Sequence, residues 1–171
     1  MTSDPTSLSQ NPFTLLSLIA APAVLTNAAS VLALSTSNRF VRASDRLRSL
    51  TARYDESNDP ATRALLLEML KRVQRQAAML LNAMKAAYVA IGAFVTASLI
   101  SILGAGVASS STSLHDLFVV FAALALAVGV VGGGGIVSAS VNLLGATRLA
   151  LMNINEEAEA IVKRDAMVRG K

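Results

Sequence analysis

The side chains that most often carry out catalysis or bind metal ions are scarce in this sequence. It contains a single histidine, His115, which lies beside Asp116, and it contains no cysteine. A metal or proton role for this pair would need further ligands, and the short segment around it offers none. Asp116 or Ser113 is better interpreted as the cap of a following helix. Three further carboxylates fit a solvated helix face: Glu156, Glu157 and Glu159.

The remaining residues do not combine into a recognisable reaction centre. The sequence has no phosphate-binding loop, no set of serine, histidine and aspartate, and no metal-ligand spacing. Its long apolar stretches contain no ionisable group, whereas proton-coupled transporters usually require one. We therefore expect a non-enzymatic protein without a cofactor or a metal site.

The most unusual feature is a glycine-rich segment, which consists of Gly129, Gly132, Gly133, Gly134 and Gly135. Each glycine weakens a helix by about 1 kcal/mol relative to alanine in water. One interpretation is close packing, because small residues let helix backbones approach each other in a membrane. The other is a hinge, or an unwound stretch whose carbonyl groups line a pore.

Two more residues stand out in the first apolar stretch. Pro22 can kink a helix and free a carbonyl group, and Asn27 can hydrogen-bond to a neighbouring helix. We expect both to serve helix packing rather than ligand binding.

Three stretches without any charged residue indicate the elements that carry these residues. They cover residues 13–35, 86–108 and 117–147, in a chain that is 53% hydrophobic. A span of the hydrocarbon core needs about 20 apolar residues, so each stretch predicts a transmembrane helix. The third is longer than needed, and we place its span at 117–141. Cleavage of the first stretch as a signal peptide is disfavoured, because residues 2–12 carry Asp4 and no basic residue.

The basic residues predict the orientation of these spans. Residues 1–12 and 109–116 contain no Lys or Arg, whereas all fifteen basic residues lie in segments 36–85 and 142–171. Basic segments stay in the cytoplasm, so we expect the N-terminus outside and the C-terminus inside. This sorting also accounts for the net charge of +4, which removes the main support for binding of nucleic acid. Five arginines after the first span either only set this topology or also bind anionic lipid head groups: Arg39, Arg42, Arg46, Arg48 and Arg53.

The cytoplasmic segments repeat apolar residues at alternating intervals of three and four, which predicts helices that pack along a seam. After the first span the seam is Phe40, Ala43, Leu47, Leu50 and Tyr54. Before the second span it is Leu66, Leu70, Val73, Ala77, Leu80 and Met84. After the third span it is Leu144, Thr147, Leu151, Ile154, Ala158 and Ile161. Asp59 and Pro60 are typical of a helix start between the first two seams.

The predicted fold is therefore all-α, with three transmembrane helices whose cytoplasmic ends extend into a coiled-coil-like helical bundle. The stretch from Leu18 to Leu50 resembles a family of small bacterial membrane proteins that is classified only as a domain of unknown function. The resemblance rests on the proline in the first apolar helix, on Asn38 with Arg39, and on Asp45 with Arg46 and Arg48. It implies a three-span protein of the bacterial inner membrane and brings no activity or ligand.

These observations favour a structural or assembly module that acts through helix packing. Its expected partners are the lipid bilayer, including anionic lipids, and either further copies of itself or another membrane complex. The alternative is an oligomeric pore or channel with the third helix near its axis.

Overall fold

The protein folds into three long α-helices in a computed structural model. Helix α1 covers Pro12–Glu56, α2 covers Pro60–Ala108 and α3 covers His115–Arg169. The structure describes the backbone of residues 12–108 and 115–169, and the side chains of residues 20–106 and 117–152. No strand occurs within these ranges. The all-α prediction is confirmed.

All three helices are long and apolar enough to span a membrane. The apolar parts lie within Ala20–Glu56, Pro60–Gly106 and Leu117–Met152, where the most apolar windows have mean hydropathies of 1.2, 2.1 and 2.4. Only 17%, 28% and 11% of these windows are buried within the chain. Most of their apolar surface therefore faces outward, as expected of a multi-pass membrane protein.

The turn between α1 and α2 has the predicted helix cap. Helix α1 ends at Glu56 and α2 begins at Pro60, which has no N–H to satisfy at that position. The Asp59 carboxylate accepts hydrogen bonds from the Thr62 backbone N–H at 2.9 Å and from the Thr62 hydroxyl. These bonds hold the pKa of Asp59 below its usual value. Across the turn, the Arg63 guanidinium lies 4.6 Å from the centre of the Tyr54 ring.

The helices divide into two compact units. The first contains Met1–Leu34 and Lys85–Ser138, and the second contains Ser35–Met84 and Ala139–Lys171. In the first unit, Ala29, Ala90 and Phe94 form a buried cluster, against which Ile91 and Ile136 pack. Small side chains on α1 and α2 let one large ring, that of Phe94, fill the space between the helices.

Two buried clusters lie in the part of the second unit whose side chains the structure describes. One joins Ala43, Leu80 and Ala146, and the other joins Leu50, Leu66 and Val73. Further seam residues pack against these clusters: Phe40, Leu47, Tyr54, Leu70 and Ala77. The seams predicted on α1 and α2 are therefore the packed faces of these helices. An ion pair lies on the outer side of α2, with 2.7 Å between Glu68 Oε1 and Arg72 Nη2.

Within the chain, the packed side of α3 is shifted from the predicted seam, although Thr147 of that seam contacts Arg39 of α1. Leu144 and Leu151 are 55% and 56% exposed, whereas Ala146 is buried and Leu143 packs beside it. Both 143 and 144 are leucines, so the apolar pattern fits either face, and the contact with α2 selects the face that carries Leu143. Ile154, Ala158 and Ile161 lie outside the residues whose side chains the structure describes.

Buried residues recur at intervals of seven along each helix. The row on α1 is Ala29, Thr36, Ala43 and Leu50, and the row on α3 is Ala125, Gly132, Ala139 and Ala146. On α2 the row is Leu66, Val73, Leu80, Ala87, Phe94 and Ser101. An interval of seven is two helical turns, so it keeps one side of a helix against its neighbours over a long distance.

Candidate functional site

The glycine run is helical throughout. Helix α3 continues without a break through Gly129 and Gly135, and no described glycine has a positive φ angle. The glycines therefore do not serve here as the conformationally free residues of a turn. Within the described part of α3 there is no unwound stretch that could present its carbonyl groups to a pore.

Two of the glycines are required by close contacts with α2. A β-carbon added at Gly132 would lie 2.7 Å from the ring of Phe94, which is 1% exposed. A β-carbon at Gly135 would lie 2.9 Å from the backbone oxygen of Ala86 and 3.0 Å from the β-carbon of Ala90. Gly132 and Gly135 are three residues apart and share one side of α3. At these two positions the glycines let α2 and α3 approach closely.

The other glycines of the run do not have this role among the residues that the structure describes. A β-carbon added at Gly129, Gly133 or Gly134 would meet no atom within 4 Å. The four consecutive glycines thus divide into Gly132 and Gly135, which face α2, and Gly133 and Gly134, which face open space. We call Gly133 and Gly134 the open glycines.

Phe94 is the residue of this site that sequence reasoning missed. The seven-residue interval could have identified it, because the series Leu66, Val73 and Leu80 continues through Ala87 to position 94. The seam predicted on α2 ends at Met84, before the apolar span begins. The same contact side of α2 in fact continues into the apolar span.

Pro22 and Asn27 differ in how their polar groups are used. The carbonyl oxygen of Pro22 accepts a hydrogen bond of 2.8 Å from the Thr26 hydroxyl. The Ser30 hydroxyl likewise donates to the carbonyl oxygen of Thr26 at 2.8 Å. Asn27 is exposed, and its carboxamide has no hydrogen bond with any residue that the structure describes. The structure therefore does not join Pro22 and Asn27 in one site.

The five arginines of α1 are exposed and spread along the helix. Arg39 reaches α3, where its Nη1 atom donates a 3.2 Å hydrogen bond to the Thr147 hydroxyl oxygen. The Thr147 hydroxyl donates in turn to the carbonyl oxygen of Leu143 at 2.9 Å. Arg48 lies 3.9 Å from the Asp45 carboxylate, in a pair too exposed to add much stability. The Arg39 hydrogen bond therefore joins α1 to α3, whereas the Arg48 contact lies within α1.

The described residues contain no cluster of three or more acidic or histidine side chains that could hold a metal ion. The side chains of His115 and Asp116 lie outside the described part, as does Ser113. The structure therefore does not test the helix cap predicted for them.

Comparison with known proteins agrees with the resemblance found in the sequence. Residues 19–133 match the model of a family described as Protein of unknown function (DUF2721). No curated protein and no solved structure matches the chain. The matched residues include most of α1, all of α2 and the first three glycines of the run, Gly129, Gly132 and Gly133. Because the match extends over more than half of the chain, the protein belongs to this family of unknown function, DUF2721.

Proposed function

We propose that the protein is a non-enzymatic assembly module of the bacterial inner membrane, which associates with itself or with another membrane complex by helix packing. The observation that carries this proposal is the division of the glycine run. Gly132 and Gly135 are explained by α2, whereas the open glycines have no contact within 4 Å that an alanine would disturb.

The open glycines need a reason outside the chain. In a helix, alanine is more favourable than glycine by about 1 kcal/mol in water, so two alanines at positions 133 and 134 would strengthen α3 without a clash. Membrane helices associate where small residues let backbones approach closely. A helix from outside the chain that packs on the open glycines would account for both of them.

The orientation proposed for the module has the N-terminus outside and the C-terminus in the cytoplasm. All fifteen basic residues lie in the segments assigned to the cytoplasm. The two compact units divide after Leu34, Met84 and Ser138, each within three residues of a predicted cytoplasmic boundary. In this orientation Arg39 and Arg42, which are exposed on α1 and follow the first span directly, lie nearest the inner surface, where they attract anionic lipids.

Association is tested by the mass of the particle in a gentle detergent and by any protein that co-purifies. We expect the native particle to contain more than one chain or a partner, and the double variant Gly133→Ala, Gly134→Ala to lose mass while keeping its helical circular dichroism. Gly92→Ala is the matched control, because it also adds a methyl group in open space, but at an isolated glycine of α2. A native particle with the mass of one chain and no partner would contradict the proposal.

A pore is the second candidate, and the same variants separate it from a packing module. Several copies would have to place their open glycines around a shared axis. Purified protein in liposomes would then conduct ions, and Gly133→Ala with Gly134→Ala would change that conductance. We expect no flux from either form, and a reproducible conductance that depends on these glycines would favour the pore.

The orientation can be tested by cysteine accessibility, because the natural chain has no cysteine. A cysteine at Ser111, in the predicted outer loop, should react with an impermeant reagent applied from outside. A cysteine at Ser57, in the turn after α1, should react only after the membrane is opened. Labelling of position 57 from outside would reverse the proposed topology.

A further inference from the structure

Helix α1 has a second, mostly apolar face that is exposed in the described part of the chain. Its residues are Ala20, Val24, Asn27, Val31 and Leu34, at alternating intervals of four and three. All five are exposed, with Val24, Val31 and Leu34 at 67%, 62% and 66%. We call these residues the outer face of α1. Their spacing is that of a helix that packs lengthwise against a partner.

The polar residue at the centre of this face identifies the kind of partner. Asn27 lies in an uncharged stretch of 23 residues and twelve residues before Arg39. At about 1.5 Å per residue, it is about 18 Å along the helix from that arginine, which places it deep in the hydrocarbon. Thr26 and Ser30 hydrogen-bond to carbonyl oxygens of their own helix, but the Asn27 carboxamide has no partner among the described residues.

A second copy of the same helix offers this carboxamide both a matching acceptor and a matching donor. Asparagine offers both an N–H donor and a C=O acceptor, so two asparagines that face each other donate and accept reciprocally. Copies of one membrane protein insert in the same orientation, so two α1 helices meet in parallel about a two-fold axis normal to the membrane. That symmetry brings Asn27 opposite Asn27 of the second copy.

We propose that the outer face of α1 is a homodimer interface, in which two parallel α1 helices pack through Val24, Val31 and Leu34 around a paired Asn27. This interface rests on the proposed self-association and names the surface responsible for it. A single asparagine in an apolar seam also selects one register. Any slip between the two helices would separate the two carboxamides and leave both without a hydrogen-bond partner in the hydrocarbon. The open glycines belong to α3, and they stay available to a further helix.

Disulfide formation between full-length chains in their membrane tests the interface. Val31→Cys, with Asn27 unchanged, should form a disulfide-linked dimer under mild oxidation. Leu25→Cys is the matched control, because Leu25 is 42% exposed but lies on the other side of α1, and it should give little dimer. Adding Asn27→Val to Val31→Cys should weaken dimerisation about tenfold, as loss of an interhelical carboxamide bond does in model membrane helices. Asn27→Gln, which keeps the carboxamide, should restore most of the dimer.

The outcomes separate this interface from self-association in general. A native particle of several copies without a disulfide at position 31 would overturn the α1 interface and leave the assembly proposal standing. A particle of one chain, with no disulfide, would overturn both. Equal disulfide yields at positions 25 and 31 would show that chains collide at random rather than through this face. A disulfide formed only with a different protein would show that the partner of α1 is not a second copy. Either result overturns the interface.

Discussion

The contacts of the glycine run lead to opposite expectations for two neighbouring residues. Gly135→Ala introduces a methyl group whose carbon would lie 2.9 Å from the backbone oxygen of Ala86. Gly134→Ala introduces the same group one residue earlier, where nothing lies within 4 Å. We expect the first variant to be clearly less stable than the second.

The comparison isolates the contact between the helices. Both variants replace glycine by alanine in the middle of the same helix, so the gain in helix propensity of about 1 kcal/mol is nearly equal and cancels. What remains is the overpacking at Gly135, which typically costs about 1 to 3 kcal/mol. The cost is not easily relieved, because the nearest atoms belong to the backbone and to the β-carbon of Ala90 rather than to a mobile side-chain end.

The assay is thermal unfolding in a detergent that separates the protein into single chains, so that loss of assembly does not contribute. Unfolding is followed by circular dichroism at one fixed scan rate. For a chain of this size, 1 kcal/mol shifts the midpoint by about 2 to 4 °C. Gly135→Ala should therefore melt roughly 2 to 12 °C below Gly134→Ala. Gly132→Ala should resemble Gly135→Ala, because its methyl group would meet the buried Phe94 ring. Equal midpoints for the variants at 134 and 135 would refute the assigned contact between α2 and α3.

Two further predictions concern the hairpin formed by the end of α1 and the start of α2. Val73→Asp should unfold or disassemble the second unit, because Val73 is 2% exposed and an unpaired buried carboxylate costs several kcal/mol. Gln74→Asp places the same carboxylate on the solvated side of α2 and should change the melting temperature little. Equal tolerance at the two positions would contradict the packed seam. The hydrogen bonds of the helix cap lower the pKa of Asp59 in the folded state. The stabilisation that this carboxylate gives should therefore be fully present above the unfolded pKa of about 3.9, and it should disappear as the pH falls through the lower folded pKa. The melting temperature of Asp59→Ala should therefore fall less than that of the natural chain over this acidic range, and parallel curves would contradict the cap.

The features that depend only on neighbouring residues could be predicted from the sequence. Three uncharged stretches predicted the three long apolar helices. A charged side chain within the hydrocarbon is costly, so a long stretch without charges is typical of a membrane span. Asp59 and Pro60 predicted where α2 begins, because a cap needs only neighbouring residues. On α1 and α2 the apolar residues follow one alternation of three and four, and the structure packs those faces.

Where the pattern allows more than one face of a helix to be buried, only the packing of the helices shows which face it is. On α3 both Leu143 and Leu144 are apolar, and only contact with Leu80 and Ala43 shows that the side carrying Leu143 is packed. Four consecutive glycines do not indicate which of them face α2. Gly132 and Gly135 are distinguished from the open glycines only by the positions of the Phe94 ring and the α2 backbone. Asn27 is equally ambiguous in sequence, because an asparagine can bond within the bundle or face outward. Such choices depend on the distance and angle between helices, which arise from packing over the whole chain rather than from any local run of residues.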